Sequence, residues 1–180
     1  MADPRIRRTR EHVLAAVRLM LETRPDAPIT FTSVSNQAEV SRRTLYTHWG
    51  SIDRLIADAV SVVFEREEVS LSHLPFQERL TMFLRRARNR LATPLTGAAL
   101  STLVPRAAFD EAAAEALREL GVRGRREMAE YVGPVSMLQY DAIVGPLFHS
   151  QIIDRVPLTD DQIDELVANT IGLLGTRADN

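Results

Sequence analysis

Apolar positions recur at helical spacing along most of the chain, and no stretch alternates with a period of two for long enough to predict a strand. Val13, Leu14, Val17, Met20 and Leu21 form one stripe on a helix predicted over 9–23, with Thr9 as its cap. Pro25 and Pro28 forbid its continuation. Phe31, Val34 and Ala38 mark a short helix over 31–38, capped by Thr30. Ser41 caps a second short helix over 42–48, and Val40 and Leu45 stand at the hydrophobic-staple positions around that cap. A longer helix over 52–69 is predicted after Ser51, with Leu55, Ile56, Ala59, Val62, Val63 and Phe64 on its buried side.

Residues 70–75 read as a linker, and Pro75 opens a helix over 76–92. Leu80, Phe83, Leu84 and Leu91 form its apolar side. Four of its five arginines, Arg85, Arg86, Arg88 and Arg90, read as a solvated face, with Arg86 or Arg90 alternatively an anion anchor. An apolar helix over 95–104 is expected to stop at Pro105. The next, beginning after Asp110, is expected to be interrupted by Gly121 and Gly124 and to resume over 125–131. Residues 137–153 are apolar all round, which marks a helix buried on several sides, His149 included. Gly145-Pro146 should kink it. Thr159 and Gln162 form a capping box for a last helix reaching about 174. The fold class is therefore all-α, with roughly nine helices. The expected division is an N-terminal helix-turn-helix domain over 1–52, joined through the helix 52–69 to a C-terminal domain over 70–180.

The helix over 42–48 stands apart. Leu45 can face a core, whereas Arg42, Arg43, Thr44, Tyr46, Thr47 and His48 crowd the exposed arc. So many hydrogen-bonding side chains on a helix that buries so little suit a major groove: donors and acceptors for base edges, cations and hydroxyls for phosphates. Charge agrees in sign. Residues 1–50 carry eight Arg and five acidic residues, although the whole chain has a net charge of −2. Residues 5–10 form a basic arm, either a solvated terminus or a phosphate contact.

Other chemistries are poorly represented. The chain has no cysteine, which excludes disulfides, thiol catalysis and cysteine-held metals. His12, His48, His73 and His149 are too dispersed to suggest a metal site, and there is no Gly-rich phosphate loop or hydrolase motif. No apolar run is long enough to span a bilayer, and no signal-type segment follows the basic N-terminus, so a cytoplasmic protein is expected. No cofactor and no enzymatic activity are expected. A helical enzyme and a helical protein-interaction module are the alternatives to a DNA-binding protein.

The stretches TREHVLAAVRLMLE and TFTSVSNQAEVSRRTLYTHWGSIDRLIADAV resemble the N-terminal domain of the TetR family of bacterial transcriptional regulators. Val40-Ser41, Thr44-Leu45-Tyr46, Trp49, Ser51 and Leu55 carry the likeness. The stretch AIVGPLFHSQIIDRVPLTDDQIDELV is similar to the last two helices of one branch of that family. The resemblance implies that Ser41, Arg42, Arg43, Thr44, Tyr46, Thr47 and His48 face double-stranded operator DNA, with Thr30 and Thr32 on its backbone. It implies a homodimer joined through the last two helices, with Leu147, Ile152, Ile163, Val167, Ile171 and Leu174 as contacts. It further implies a repressor released by a small apolar or amphipathic effector held in the C-terminal domain. Phe83, Arg86, Leu103, Met128, Tyr131, Met137, Tyr140 and Phe148 are the candidate lining. Three features depart from the family pattern: Glu39 where the turn usually has Gly, Ile52 where a phosphate-binding Lys is frequent, and the loop Pro25-Asp26-Ala27-Pro28 where a glycine often ends the first helix.

Overall fold

The computed structural model of the chain describes residues 4–61, 71 and 73–175. Among these the structure is all-α. Nine α-helices follow in order: α1 (Pro4–Thr23), α2 (Phe31–Ala38), α3 (Arg42–Trp49), α4 (Ile52–Ser61), α5 (Phe76–Leu91), α6 (Pro94–Ala107), α7 (Glu111–Val132), α8 (Met137–Phe148) and α9 (Asp160–Gly175). A π-helical turn, His149–Asp154, follows α8. The expected continuation of the fourth helix to residue 69 lies outside the described residues.

The chain divides into two compact units. One is drawn from Met1–Glu65 and Pro94–Gly121, the other from Arg66–Thr93 and Val122–Asn180. This differs from the division expected at the linker over 70–75, because α6 and the first half of α7 pack with the helix-turn-helix. The apolar character of α6 is the reason: Leu95, Ala98, Ala99 and Leu103 join Val13, Val17, Leu45, Leu55 and Ile56 in one core. In the second unit α9 packs on α5 and α8.

Several elements differ from expectation. α1 begins at Pro4, so the basic residues 5–10 form its first turns rather than a separate arm. α6 runs through Pro105 to Ala107. α7 is continuous across Gly121 and Gly124, because the glycine penalty of about 1 kcal/mol each is small beside the helix-forming residues around them. Gly124 has another role. A Cβ there would stand 2.1 Å from the Tyr140 hydroxyl, so this glycine is where α8 meets α7.

The caps are as expected at Thr30, Ser41 and Thr159. The Ser33 N–H donates to Thr30 Oγ1 at 3.1 Å, and the Thr44 N–H donates to Ser41 Oγ at 3.1 Å. The Thr159 N–H donates to Gln162 Oε1 at 2.9 Å, closing its capping box. A further capping box, Ser136 with Gln139, starts α8.

The α5 arginines do not form a solvated face. Arg88 donates to Asp160 Oδ1 at 2.6 Å and to the Leu158 carbonyl at 3.0 Å, and Arg85 donates to Asp164 at 3.2 Å. Both hold the start of α9, where acidic side chains also suit the helix dipole. Arg90 and Arg86 face Glu127 of α7 at 2.9 and 3.5 Å. The Arg88 hydrogen bond, aided by the charge of Arg85, holds the Asp160 carboxyl below its ordinary value of 3.8. A lowered folded-state pKa contributes stability above 3.8 that is lost as pH falls through the folded value. The melting-temperature difference between wild type and Asp160→Asn should therefore be greatest near neutrality and close in acid.

Glu39 ends α2 in the left-handed region, at φ 52° and ψ 35°, and its N–H bonds the Ser35 carbonyl. An L-residue with a Cβ is strained there by about 1–2 kcal/mol, partly offset by the unfolded-chain entropy that glycine adds. Glu39→Gly should stabilise the protein by roughly 0.5–1 kcal/mol, read from urea unfolding at constant m-value.

Candidate nucleic-acid interface

α3 rests on the first unit through two residues. Leu45 is fully buried and Trp49 is 4% exposed, while the rest of the helix is exposed or half-exposed. The sequence arranges this by placing apolar residues four apart, on one line along the helix. Ser41, in extended conformation at φ −65° and ψ 145°, turns the chain into α3 and caps it. Gly50, at φ 70°, ends it.

The nine residues expected at DNA fall into two groups. Arg42, Arg43, Tyr46, His48 and Thr32 are exposed. Arg42 and Arg43 enter no ion pair among the described residues. The Tyr46 ring packs edge-on with Phe31, centroids 4.3 Å apart, and the residue stays 57% exposed. The remaining four hydroxyls bond within the motif itself. Thr30 is in the α2 capping box with Ser33. Ser41 Oγ and Thr44 Oγ1 are 2.9 Å apart, and Thr47 Oγ1 donates to the Arg43 carbonyl at 2.8 Å. A hydroxyl that donates inward keeps lone pairs but no proton for a phosphate oxygen.

Beside this face lies a cleft of about 420 Å³ lined by Thr30, Arg42, Tyr46, Asp53, Arg106 and Asp110, among others. Arg106 of α6 donates to Asp53 Oδ2 at 3.1 Å and to Asp110 Oδ2 at 3.2 Å. Burial pushes the Asp53 carboxyl up, and the charge of Arg106 opposes it. Asp110 is held low by the Ala112 N–H and by Arg106. Two carboxylates about one guanidinium leave no positive excess in this group. Asp53 and Arg106 stand far apart in the chain, and their spacing carries no sequence signal of this group.

The residues expected to line an effector site are only partly brought together. In the second unit Phe83, Met128 and Tyr140 are buried, and the Tyr131 ring lies 5.7 Å from Phe83. Arg86 joins them through Glu127. Burial pushes the Tyr140 phenol up to about 12, with Arg90 opposing the shift. Leu103 is not part of this group: it is fully buried in the core of the other unit, because α6 packs there. Met137 and Phe148 are 41% and 38% exposed and face outward. A separate cleft lined by Pro146, His149, Val156, Leu158 and Gln162, among others, contains none of the eight. His149 is exposed, not buried, with Nδ1 3.2 Å from Asp154 Oδ2. Among the described residues there is no cluster suited to a metal ion and no helix long and apolar enough to cross a membrane.

The expected dimer contacts also need correction. Leu147, Ile163 and Val167 are fully buried within one protomer, because α9 packs on α5 and α8. Ile152 and Ile171 are half-buried, and the Leu174 side chain lies outside the described residues. On and just beyond α8 the outward apolar residues instead include Leu138, Phe148, Ile153 and Val156.

No model of a known protein family matches the chain. It is 27% identical over 190 residues to an uncharacterized HTH-type transcriptional regulator, YdeS, of Bacillus subtilis (strain 168), covering 97% of this chain and 94% of that protein. Its structure is similar to that of a TetR transcriptional regulator from Rhodococcus sp. RHA1, with a TM-score of 0.63, 16% identity and coverage of 95% and 97% of the two chains. It is also similar to a TetR transcriptional regulator from Agrobacterium tumefaciens, with a TM-score of 0.60, 17% identity and coverage of 92% and 94%. A helix-turn-helix with its polar face open, on an all-α frame shared nearly end to end with these regulators, is the fold of the TetR family of transcriptional regulators.

Proposed function

We propose that this chain is a cytoplasmic, homodimeric regulator that reads double-stranded operator DNA through α3. We further propose that it is a repressor released by a small apolar or amphipathic effector. The observation that carries the DNA reading is the exposure of Arg42 and Arg43, unpaired among the described residues, on a helix whose other face is anchored by Leu45 and Trp49. Arginine matches guanine in the major groove by two parallel hydrogen bonds, and matches phosphate by charge. Tyr46, His48 and Thr32 surround them as backbone contacts. Thr30, Ser41, Thr44 and Thr47 act mainly by holding the helices that present these groups.

For the effector, the supporting feature is the interior of the second unit. Phe83, Met128 and Tyr131 offer apolar and aromatic surface, while Tyr140 and Arg86 offer orienting polar groups. For the dimer, Leu138, Phe148, Ile153 and Val156 leave apolar surface on and just beyond α8 that a second copy would cover. In such a dimer the two α3 helices must match half-sites about 34–36 Å apart or a multiple of that. An effector that binds more tightly to a dimer of the wrong spacing releases the DNA.

Two experiments test this reading. Gel-shift titration at stated salt should show that Arg43→Ala and Tyr46→Ala each weaken binding to a duplex selected by the wild-type protein by tenfold or more. If Arg43 binds a phosphate, its removal lowers the log–log salt slope by about 0.9. If it binds a base edge, its removal leaves the slope unchanged and costs about 1–3 kcal/mol at one position of the site. Wild-type binding by both variants would remove α3 from the interface. Sedimentation at micromolar concentration should give a dimer for wild type and a monomer for Leu138→Glu with Phe148→Glu; a wild-type monomer would rule out the assembly.

A further inference from the structure

The two buried residues of α3, Leu45 and Trp49, lie four apart and therefore on one line along the helix axis. Contacts along a single line fix the depth of a helix but not its rotation about that line. A roll of about 15° would carry a side-chain tip, roughly 6 Å from the axis, through about 1.5 Å. That displacement exceeds the spread of good hydrogen-bond lengths. Something directional must therefore set the roll.

The structure contains such a bond. The indole Nε1–H of Trp49 donates to Asp58 Oδ2 at 3.2 Å in the interior of the first unit. Asp58, on α4, is 5% exposed, and the same oxygen accepts from Arg10 Nη2 of α1 at 2.7 Å. One carboxylate thus ties the foot of α3 to α4 and α1. Nearby on α3 the Tyr46 ring packs edge-on against Phe31 of α2. Trp49 and Asp58 are both buried, away from the exposed arc of α3.

We propose that Asp58 is a positioning residue for DNA recognition: through Trp49 it sets the roll of α3, and Arg10 holds the carboxylate in place. The inference rests on the reading of α3 as the DNA-contacting helix. It goes further in assigning sequence discrimination to a buried indole–carboxylate pair, Trp49 and Asp58, braced by the more exposed Arg10. A small rotation should weaken base recognition, which needs alignment, more than phosphate binding, which tolerates it. The loss should therefore be in specificity rather than in general affinity.

The experiment uses the full chain and a duplex selected from a random pool by the wild-type protein, with a scrambled duplex of equal length as reference. Trp49→Phe keeps a buried ring and leaves the Arg10–Asp58 pair intact, but removes the N–H. It should fold, judged by its helical melting transition, and bind the scrambled duplex as wild type does, while the ratio of selected to scrambled affinity falls about tenfold. Asp58→Asn retains an acceptor for the indole and should keep that ratio within threefold; Asp58→Ala should lose it as Trp49→Phe does. If one of the two loss variants fails to melt cooperatively, the other decides. Wild-type ratios in the folded loss variants overturn the positioning role, as does an equal fall in affinity for both duplexes. A wild-type protein that selects no sequence overturns the DNA reading itself, and this inference with it.

Discussion

A helix that leaves nearly all of its surface open has little left with which to hold on to its own protein. α3 meets this constraint with Leu45 and Trp49, and much of the first unit can be understood as support for that small footing. Leu45 has no exposed surface, and burying a leucine contributes about 1.5–3 kcal/mol. Around it, α1, α2, α4 and α6 supply a core of aliphatic side chains that α3 alone could not assemble. The caps at Thr30 and Ser41 then satisfy helix ends that eight-residue helices could not otherwise tolerate. The polar residues of the motif are thus not equivalent. Some hold the helices in place, and others are left available.

The second unit is organised by arginines. Four guanidiniums on α5 reach two different neighbours: Arg85 and Arg88 the start of α9, Arg86 and Arg90 the Glu127 carboxylate of α7. The Arg90–Glu127 pair is largely shielded from water, with side chains 12% and 13% exposed. Removing one member of a buried pair typically costs about 3–5 kcal/mol, because the other charge is left without compensation. The pair at the start of α9 is wetter and correspondingly weaker. Helix packing here is therefore directional as well as apolar, which limits how α5, α7 and α9 can slide past one another.

How much of this is legible in the chain depends on the range of the interaction. Helix starts at Thr30, Ser41 and Thr159 are readable because a cap and its partner lie within three residues. The left-handed turn at Glu39 is signalled only through the family resemblance, in which Gly usually stands at that position. The polar arc of α3 follows from its 3.6-residue period. Long-range pairing is not readable. Nothing near Arg88 indicates that it meets Asp160, and nothing near Arg106 indicates Asp53. The identity of the helix that packs against an apolar stripe is equally silent, so the sequence lets Leu103 pass for an effector-site residue when it belongs to the core around Leu45. For the same reason it lets Leu147, Ile163 and Val167 pass for a dimer face. An apolar residue on a helix records that it will be covered, but not by which neighbour. Gly124 shows the converse: its role is defined entirely by Tyr140, sixteen residues away on another helix.

The chain has a single tryptophan, and it sits at the foot of α3 with its indole N–H on a carboxylate. Excitation at the red edge of the indole band therefore interrogates one place in the molecule, the joint between α3 and its support. The protein carries, without labelling, one optical reporter for the state of its helix-turn-helix.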